Sequence, residues 1–279
     1  MKSINRAFLL GNPIRIIQNL WHYREMIGQM IVRDFGQRYR GSYLGVIWAI
    51  LNPLLLLLIY TFVFSVVFKA RWNPSEVNSP PGEFAIVLFA GLIPYYFFSE
   101  VLGRAPGIVL NNPNYVKKVV FPLEVLLVVI SGTALISSMI QLGILIIAML
   151  VILHSIPATI LLLPLIYLPL ILITLGFAWF LASLGVFIRD IALVISLILQ
   201  VLLFLSPIFY SITAVPERFQ QILRLNPLTM IVTNFRNLIL WGEMFPVGEW
   251  AVWLVISIMV AIFGYLWFMW TKKGFADVL

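Results

Sequence analysis

Cysteine is absent from the 279 residues, and histidine occurs only twice, at His22 and His154. The first absence excludes a disulfide framework and a thiolate metal site. The second leaves little from which to build a general-base network. Charge is scarce too, at 10% of residues against 62% hydrophobic, with a mean hydropathy of +1.04. A soluble domain is roughly a quarter charged, so a water-soluble fold is excluded. From Val125 to Ile188 there is no Asp, Glu, Lys or Arg, a run too long for one buried helix of a soluble core. The solvent around it is lipid. Also missing are the G-x-x-x-x-G-K-[ST] phosphate cradle, the H-E-x-x-H metal pair and the G-x-S-x-G elbow. An enzyme is therefore not expected, nor a metal or cofactor on this chain. The expected spans carry almost no ionisable residue, which disfavours a proton-coupled carrier.

What is present is a succession of apolar runs with basic flanks. A crossing takes about 20 apolar residues, which divides the chain into expected spans at 43–68, 84–103, 123–153, 158–188, 191–210 and 250–271. His154-Ser155-Ile156-Pro157 marks the turn inside the long uncharged stretch. The expected fold class is an all-α membrane protein of six transmembrane helices, forming one domain over 43–271. A cytoplasmic N-terminus occupies 1–42 and a cytoplasmic tail 272–279. The patch Phe8-Leu9-Leu10 is too short for a signal-peptide core, so the N-terminus is expected to be retained. The net charge of +7 reads as a topology signal rather than a nucleic-acid footprint. Six crossings put both termini on one side, with Arg24, Arg33, Arg38, Arg40, Arg104, Lys117, Lys118, Arg189, Lys272 and Lys273 beside them. Lys69, Arg71, Arg218, Arg224 and Arg236 fall opposite. The positive-inside rule makes the richer side cytoplasmic.

Two segments are neither spans nor plain loops. Arg15, Gln18, His22, Glu25, Gln29 and Arg33 recur at three- and four-residue steps, opposite Ile17, Leu20, Trp21, Ile27 and Ile31. This pattern predicts an amphipathic helix in the cytoplasmic interface, with Arg24 inside the apolar stripe snorkelling or meeting a partner. The stretch 211–249 is too apolar for a solvated loop. Asn226-Pro227 reads as an N-cap followed by proline, and Gly242 as a stop, predicting one short helix from Pro227 to Trp241 and another from Pro216 to Arg224. Backbone turning at membrane depth needs protein or channel water around it, so a re-entrant external gate is expected between spans five and six. Within span two, Glu100 could pair with Arg104 at i+4.

Several stretches resemble the permease subunits of type-2 ATP-binding-cassette exporters for O-antigen, capsular polysaccharide and teichoic acid. The most specific comprises Arg33-Asp34, Arg38-Tyr39, Ser42, Leu44-Gly45, Trp48, Pro53-Leu54, Tyr60 and Phe64. Further blocks are Phe121-Pro122-Leu123-Glu124, Leu184-Gly185-Val186-Phe187 with Arg189-Asp190, and Ser206-Pro207-Ile208-Phe209-Tyr210 followed by Asn226-Pro227. The family often has a proline soon after the first of these blocks, where Leu127 stands here. The resemblance implies a homodimer in the bacterial inner membrane, with two copies of a cytoplasmic nucleotide-binding ATPase that holds ATP and Mg. The cargo it implies is a lipid-pyrophosphate-linked glycan of O-antigen or capsular type. Alternatives are a teichoic acid or drug exporter of the same fold, a secondary carrier, or an envelope-assembly scaffold. A carrier would show intramembrane ionisable groups and repeat symmetry, and a scaffold would need no gate.

The candidate residues fall into four groups. Aromatic faces suit sliding contact with sugar C–H groups, making Trp48, Tyr60, Phe64, Phe68, Phe177 and Phe180 candidates for the pathway; helix packing or an interfacial belt is the alternative. Arg38 and Arg40 could meet a pyrophosphate at the entrance or be plain positive-inside anchors. Gln29, Arg33, Asn112, Asn114, Tyr115, Lys117, Arg189 and Asp190 lie on the available cytoplasmic surfaces and are candidates for ATPase coupling, Arg189 and Asp190 also as a local ion pair fixing a tight turn. Ser206, Pro207, Tyr210, Pro216, Asn226 and Pro227 are candidates for the gate.

Overall fold

The computed structural model describes residues 18, 20–70, 72, 82–117 and 121–278, which form helices and turns without a strand. Eleven helices serve as landmarks: α1 (Arg24–Gln37), α2 (Trp48–Tyr60), α3 (Glu83–Arg104), α4 (Pro113–Lys117), α5 (Val125–Ile152), α6 (Leu163–Phe187), α7 (Ile191–Leu205), α8 (Glu217–Arg224), α9 (Pro227–Arg236), α10 (Val247–Thr271) and α11 (Phe275–Val278). Five helical stretches are long and apolar enough to cross a membrane: Gly45–Val67, Glu83–Gly107, Val125–Ile152, Ala158–Phe187 and Val247–Val278. At 15 residues, α7 is shorter.

The core is built around α3. Its residues Ala85, Ile86, Leu88, Phe89, Ala90 and Ile93 are fully enclosed, so the helix is apolar on every side, as a central helix must be. α5, α6, α7 and α9 pack around it. α6 and α10 make the most extensive contact in the bundle, and two glycines permit it: a Cβ on Gly264 would lie 2.0 Å from the Gly176 carbonyl oxygen, and one on Gly176 2.5 Å from that of Val260. Without a hydrophobic drive between helices in lipid, such close approach supplies the packing. Several polar side chains on the spans are satisfied within the bundle. Ser131, Thr133 and Thr174 donate to carbonyls four residues back, and Ser138 shares a 2.6 Å hydrogen bond with Tyr167.

α2 begins after a tight turn at Gly45–Ile47, contains Pro53 and opens beyond Tyr60 into wider π-helical geometry over Thr61–Val67. The Phe68 N–H closes that stretch on the Val63 carbonyl. The turn after α5 falls at His154, whose φ is +56°, and Pro157.

α1 is amphipathic, but it does not lie flat across the bundle. Ile27 meets Val125 and Val129, Ile31 lies over Gly132, and Arg38 just beyond the helix reaches Ser137. α1 therefore runs beside the first half of α5 in the same direction. Of its apolar stripe, Ile27 and Ile31 are covered by α5, while Trp21 is exposed and Ile17 lies outside the described residues. Running alongside α5, the helix differs from the one resting in the interface plane that the pattern predicts. Arg24 stays at the exposed rim, over the Trp21 ring at 5.3 Å and 3.8 Å from Glu25.

Candidate functional site

Two ends of the bundle concentrate the candidate residues. The first, here the basic end, gathers α1, the C-terminus of α3, α4, the start of α5 and α11. Arg104 grips Asp34 through two bonds, at 2.7 and 2.9 Å. Arg38 pairs with Glu100 and donates to Ser137 at 3.4 Å. Lys272 pairs with Glu124 at 2.7 Å. The i+4 pair expected between Glu100 and Arg104 is thus replaced: α1 brings an opposite charge to each, and tertiary partners displace the local one. Arg38, a candidate for pyrophosphate, is committed to Glu100, while Arg40 is exposed.

Of the coupling candidates, Arg33, Asn112 and Tyr115 line one cavity of about 130 Å³, with Asp34 and Gln37, between α1, the α3–α4 connection and α5. Tyr115 stacks on Phe121 at 4.5 Å, and Asn112 caps the Ile108 carbonyl at 2.8 Å. Gln29 and Asn114 are exposed; the side chain of Lys117 and all of Lys118 lie outside the described residues. Arg189 and Asp190 are exposed and form no ion pair among the described residues. Backbone bonds close that turn instead, the Leu193 and Val194 N–H groups both reaching the Asp190 carbonyl. This corrects the expected ion pair; an exposed pair offers little to repay ordering two side chains. Burial of the Asp34 carboxyl would raise its pKa, but the Arg104 guanidinium, with Thr133 and Arg38, holds it below the ordinary value.

At the far end, α7 stops at Leu205 and the chain breaks through Ser206, Pro207 and Ile208, all buried. Asn226 sits in this break. Its Oδ1 accepts from the Leu228 N–H at 3.0 Å, the expected cap, and its Nδ2 donates to Ser206 Oγ at 3.0 Å. Pro227 opens α9 as expected, Gly242 ends the helical path at φ +68°, and Pro216 caps α8 from an exposed position. Tyr210 donates to the Phe204 carbonyl at 2.9 Å.

The residue that ties these parts together is Arg236, which the sequence suggests is an ordinary outer charge. It is 2% exposed. Its guanidinium donates to the carbonyls of Val87 on α3 (2.8 Å), Ile208 (2.6 Å) and Pro207, and lies 4.5 Å over the Trp72 ring. No ion pair to it occurs among the described residues. Gly91 makes its room, since a Cβ there would fall 2.2 Å from Nη2. The available signal was a single charge in a helical stretch, 227–241, that carries no other, which at membrane depth marks a special site.

Between the ends, Tyr60, Phe64 and Phe68 form a ring ladder at 6.3 and 6.0 Å, joined by Phe84 at 5.2 Å from Phe64. Trp48 opens α2, half-buried. Phe177 is half-buried on α6, and Phe180 faces α10, in ring contact with Phe263 and Trp267. The structure thus brings together the α2 aromatics and places Phe180 in a separate cluster.

A family model described as ABC-2 type transporter matches residues 25–240, and the chain belongs to that family. Among similar proteins, the O-antigen export system permease protein RfbA of Myxococcus xanthus is 28% identical over 80% of this chain and 83% of its own length. A protein of that name from Klebsiella pneumoniae is 25% identical over 95% and 99%. The polysialic acid transport protein KpsM of Escherichia coli is 26% identical over 76% and 80%.

Proposed function

We propose that this ABC-2 type transporter chain is the membrane subunit of an ATP-driven exporter that carries a lipid-linked polysaccharide of O-antigen or capsular type from the cytoplasm across the bacterial inner membrane. The observation that carries the reading is the end-to-end similarity to O-antigen export permeases, over 95% of this chain and 99% of one relative. The basic end is then cytoplasmic. α7 is the fifth of six crossings, since it leads from the turn at Arg189 to the far-end break beside Val87; at 1.5 Å per residue it covers about 22 Å. A dimer of two copies would cover the exposed apolar residues of α2, its π-helical continuation and α7, among them Ile50, Leu58, Phe62, Leu197 and Phe204. Two ATPase subunits, binding ATP and Mg, would dock on Gln29, Arg33, Asn112, Asn114 and Tyr115. The Tyr60–Phe64–Phe68 ladder offers aromatic faces to sugars, and the α8–α9 segment forms the external gate.

The test is genetic and biochemical. Deleting the chain should abolish surface polysaccharide and accumulate lipid-linked glycan inside, with restoration requiring both this chain and an ATPase partner. The purified chain alone should hydrolyse no ATP. Wild-type levels of surface polysaccharide in the deletion strain would refute the reading.

A further inference from the structure

A second cavity opens between α2, α3 and α5, with a volume of about 330 Å³, within the range of small-ligand clefts. Its polar wall is made by Asn52, Tyr96, Ser99, Glu100 and Gln141, and its apolar floor by Pro53 and Leu56. These residues belong to helices apolar enough to span a membrane, where an unpaired amide is costly.

The wall's chemistry is selective. Glu100 is neutralised by Arg38, whose Nη1 also donates to Ser137. What is left are uncharged groups of both kinds: two carboxamides, the Tyr96 hydroxyl facing that of Tyr60 at 3.5 Å, and the Ser99 hydroxyl, which donates within its own helix to the Tyr96 carbonyl. The Gln141 Oε1 is shut off from solvent with no hydrogen-bond partner among the described residues. A phosphate would meet a carboxylate here and no uncommitted cation. A neutral polyol would meet donors and acceptors, with a tyrosine ring and an apolar floor for its C–H face.

From this arrangement we infer that the cavity is a saccharide subsite, holding one uncharged sugar residue of the passing glycan through Asn52 and Gln141. The inference rests on the polysaccharide-export reading and gives it a place: one turn inward from the Arg38–Glu100 pair, before the Tyr60 ladder. Neutral hydrogen bonds hold a sugar without trapping it, as a conduit for a repeating polymer requires.

The experiment uses the full chain in nanodiscs, with saturation-transfer NMR to methyl glucoside, methyl mannoside and methyl N-acetylglucosaminide, and to glycerol 1-phosphate as a lipid-headgroup probe. At least one glycoside should show transfer, reduced at least fivefold in Gln141→Leu and Asn52→Leu, while glycerol 1-phosphate shows none. In cells, Gln141→Leu present at normal membrane level should export less than a tenth of the wild-type polysaccharide, and Gln141→Asn should recover part of it. Should Gln141→Leu fail to reach the membrane, Asn52→Leu, on the exposed rim, gives the same readout. Glycoside transfer and export unaffected in the variants would overturn the subsite and leave the export reading standing. So would a wild-type chain that exports but binds no glycoside, and so would transfer to glycerol 1-phosphate that the variants abolish. If the deletion strain keeps its surface polysaccharide, the export reading itself fails.

Discussion

At the basic end, α1 and the C-terminal turn are fastened by side-chain ion pairs, Arg38–Glu100, Arg104–Asp34 and Lys272–Glu124. At the far end, one guanidinium is fastened to backbone carbonyls of α3 and of the broken end of α7. The partners of the Arg38–Glu100 and Arg104–Asp34 pairs keep about a quarter to a third of their side chain exposed, so these charges can be rehydrated and repartnered at moderate cost, and salt screens them. Arg236 has no such exit, and the Pro207 and Ile208 carbonyls lie beyond the helical ladder of α7 with little else to accept from. The basic end is therefore built to exchange partners and the far end to stay assembled. On the export reading proposed above, in which the basic end is cytoplasmic, that difference says where mechanical work can be received.

The comparison breaks first at Arg236. Arg236→Met would leave the Pro207 and Ile208 carbonyls unpaired, Val87 keeping its place in the α3 ladder, and with about 1–3 kcal/mol for each buried group left unsatisfied, the chain should lose more stability than from any single change at the basic end. The expected outcome is a marked fall in detergent melting temperature and new labelling of the 206–241 segment by water-soluble thiol reagents at introduced cysteines. Arg236→Lys should recover little, because one ammonium cannot spread over three carbonyls as a planar fork does. Gly91→Ala approaches the same hub from the α3 side. Its Cβ claims the space of Nη2, so the guanidinium must withdraw, and the melting temperature should fall in the same direction but less far. A Gly91→Ala protein with wild-type melting and labelling would show that the far end yields more easily than its burial suggests.

The helices were legible in the sequence because lipid leaves few alternatives. Long apolar runs, the turn at His154–Pro157 and the Asn226-Pro227 cap are set by local chemistry, and the helical stretches begin and end within a few residues of the expected bounds, apart from the early stop of α7 at Leu205. Contacts between distant segments were not legible. Glu100 and Arg104 are neighbours on one helix turn, yet each takes its partner from α1, because only the folded position of α1 reveals Arg38 and Asp34 beside them. Arg236 stands between Asn234 and Asn237 in a polar-looking stretch; its burial depends on Gly91 and Trp72, far away in sequence. The amphipathic face of α1 was visible, but periodicity shows that a face is covered, not whether lipid or α5 covers it.

A smaller effect is expected from Lys272→Met at the basic end. It leaves the Glu124 carboxylate, 8% exposed, without its cation, next to a Trp179 N–H that serves the Glu124 backbone at 3.1 Å. Because the carboxylate is buried, the loss should be on the order of 3 kcal/mol, read as a fall in melting temperature short of that of Arg236→Met. High salt should lower the wild-type melting temperature and narrow the gap to Lys272→Met, while the deficit of Arg236→Met should not move. A deficit for Lys272→Met that is equally insensitive to salt would mean the two ends are fastened alike.

The finest separation of the two ends comes from pH. Asp34 is held ionised below its ordinary pKa by Arg104, with Thr133 and Arg38 adding to it against the opposing effect of burial. A carboxylate whose pKa is lowered on folding contributes stability that is fully present above its unfolded value and lost as pH falls through its folded value. Acidification below the ordinary carboxylate range should therefore loosen α1 from α5 and raise hydrogen exchange over Arg24–Gln37, while Arg236, bound to carbonyls that do not titrate, keeps the exchange of Pro227–Arg236 unchanged. Asp34→Asn should remove most of this acid response and show, at neutral pH, the loosened α1 that the wild type reaches only in acid. If the two segments instead gain exchange together as pH falls, the ends are coupled, and the basic end cannot release its partners without disturbing the far one.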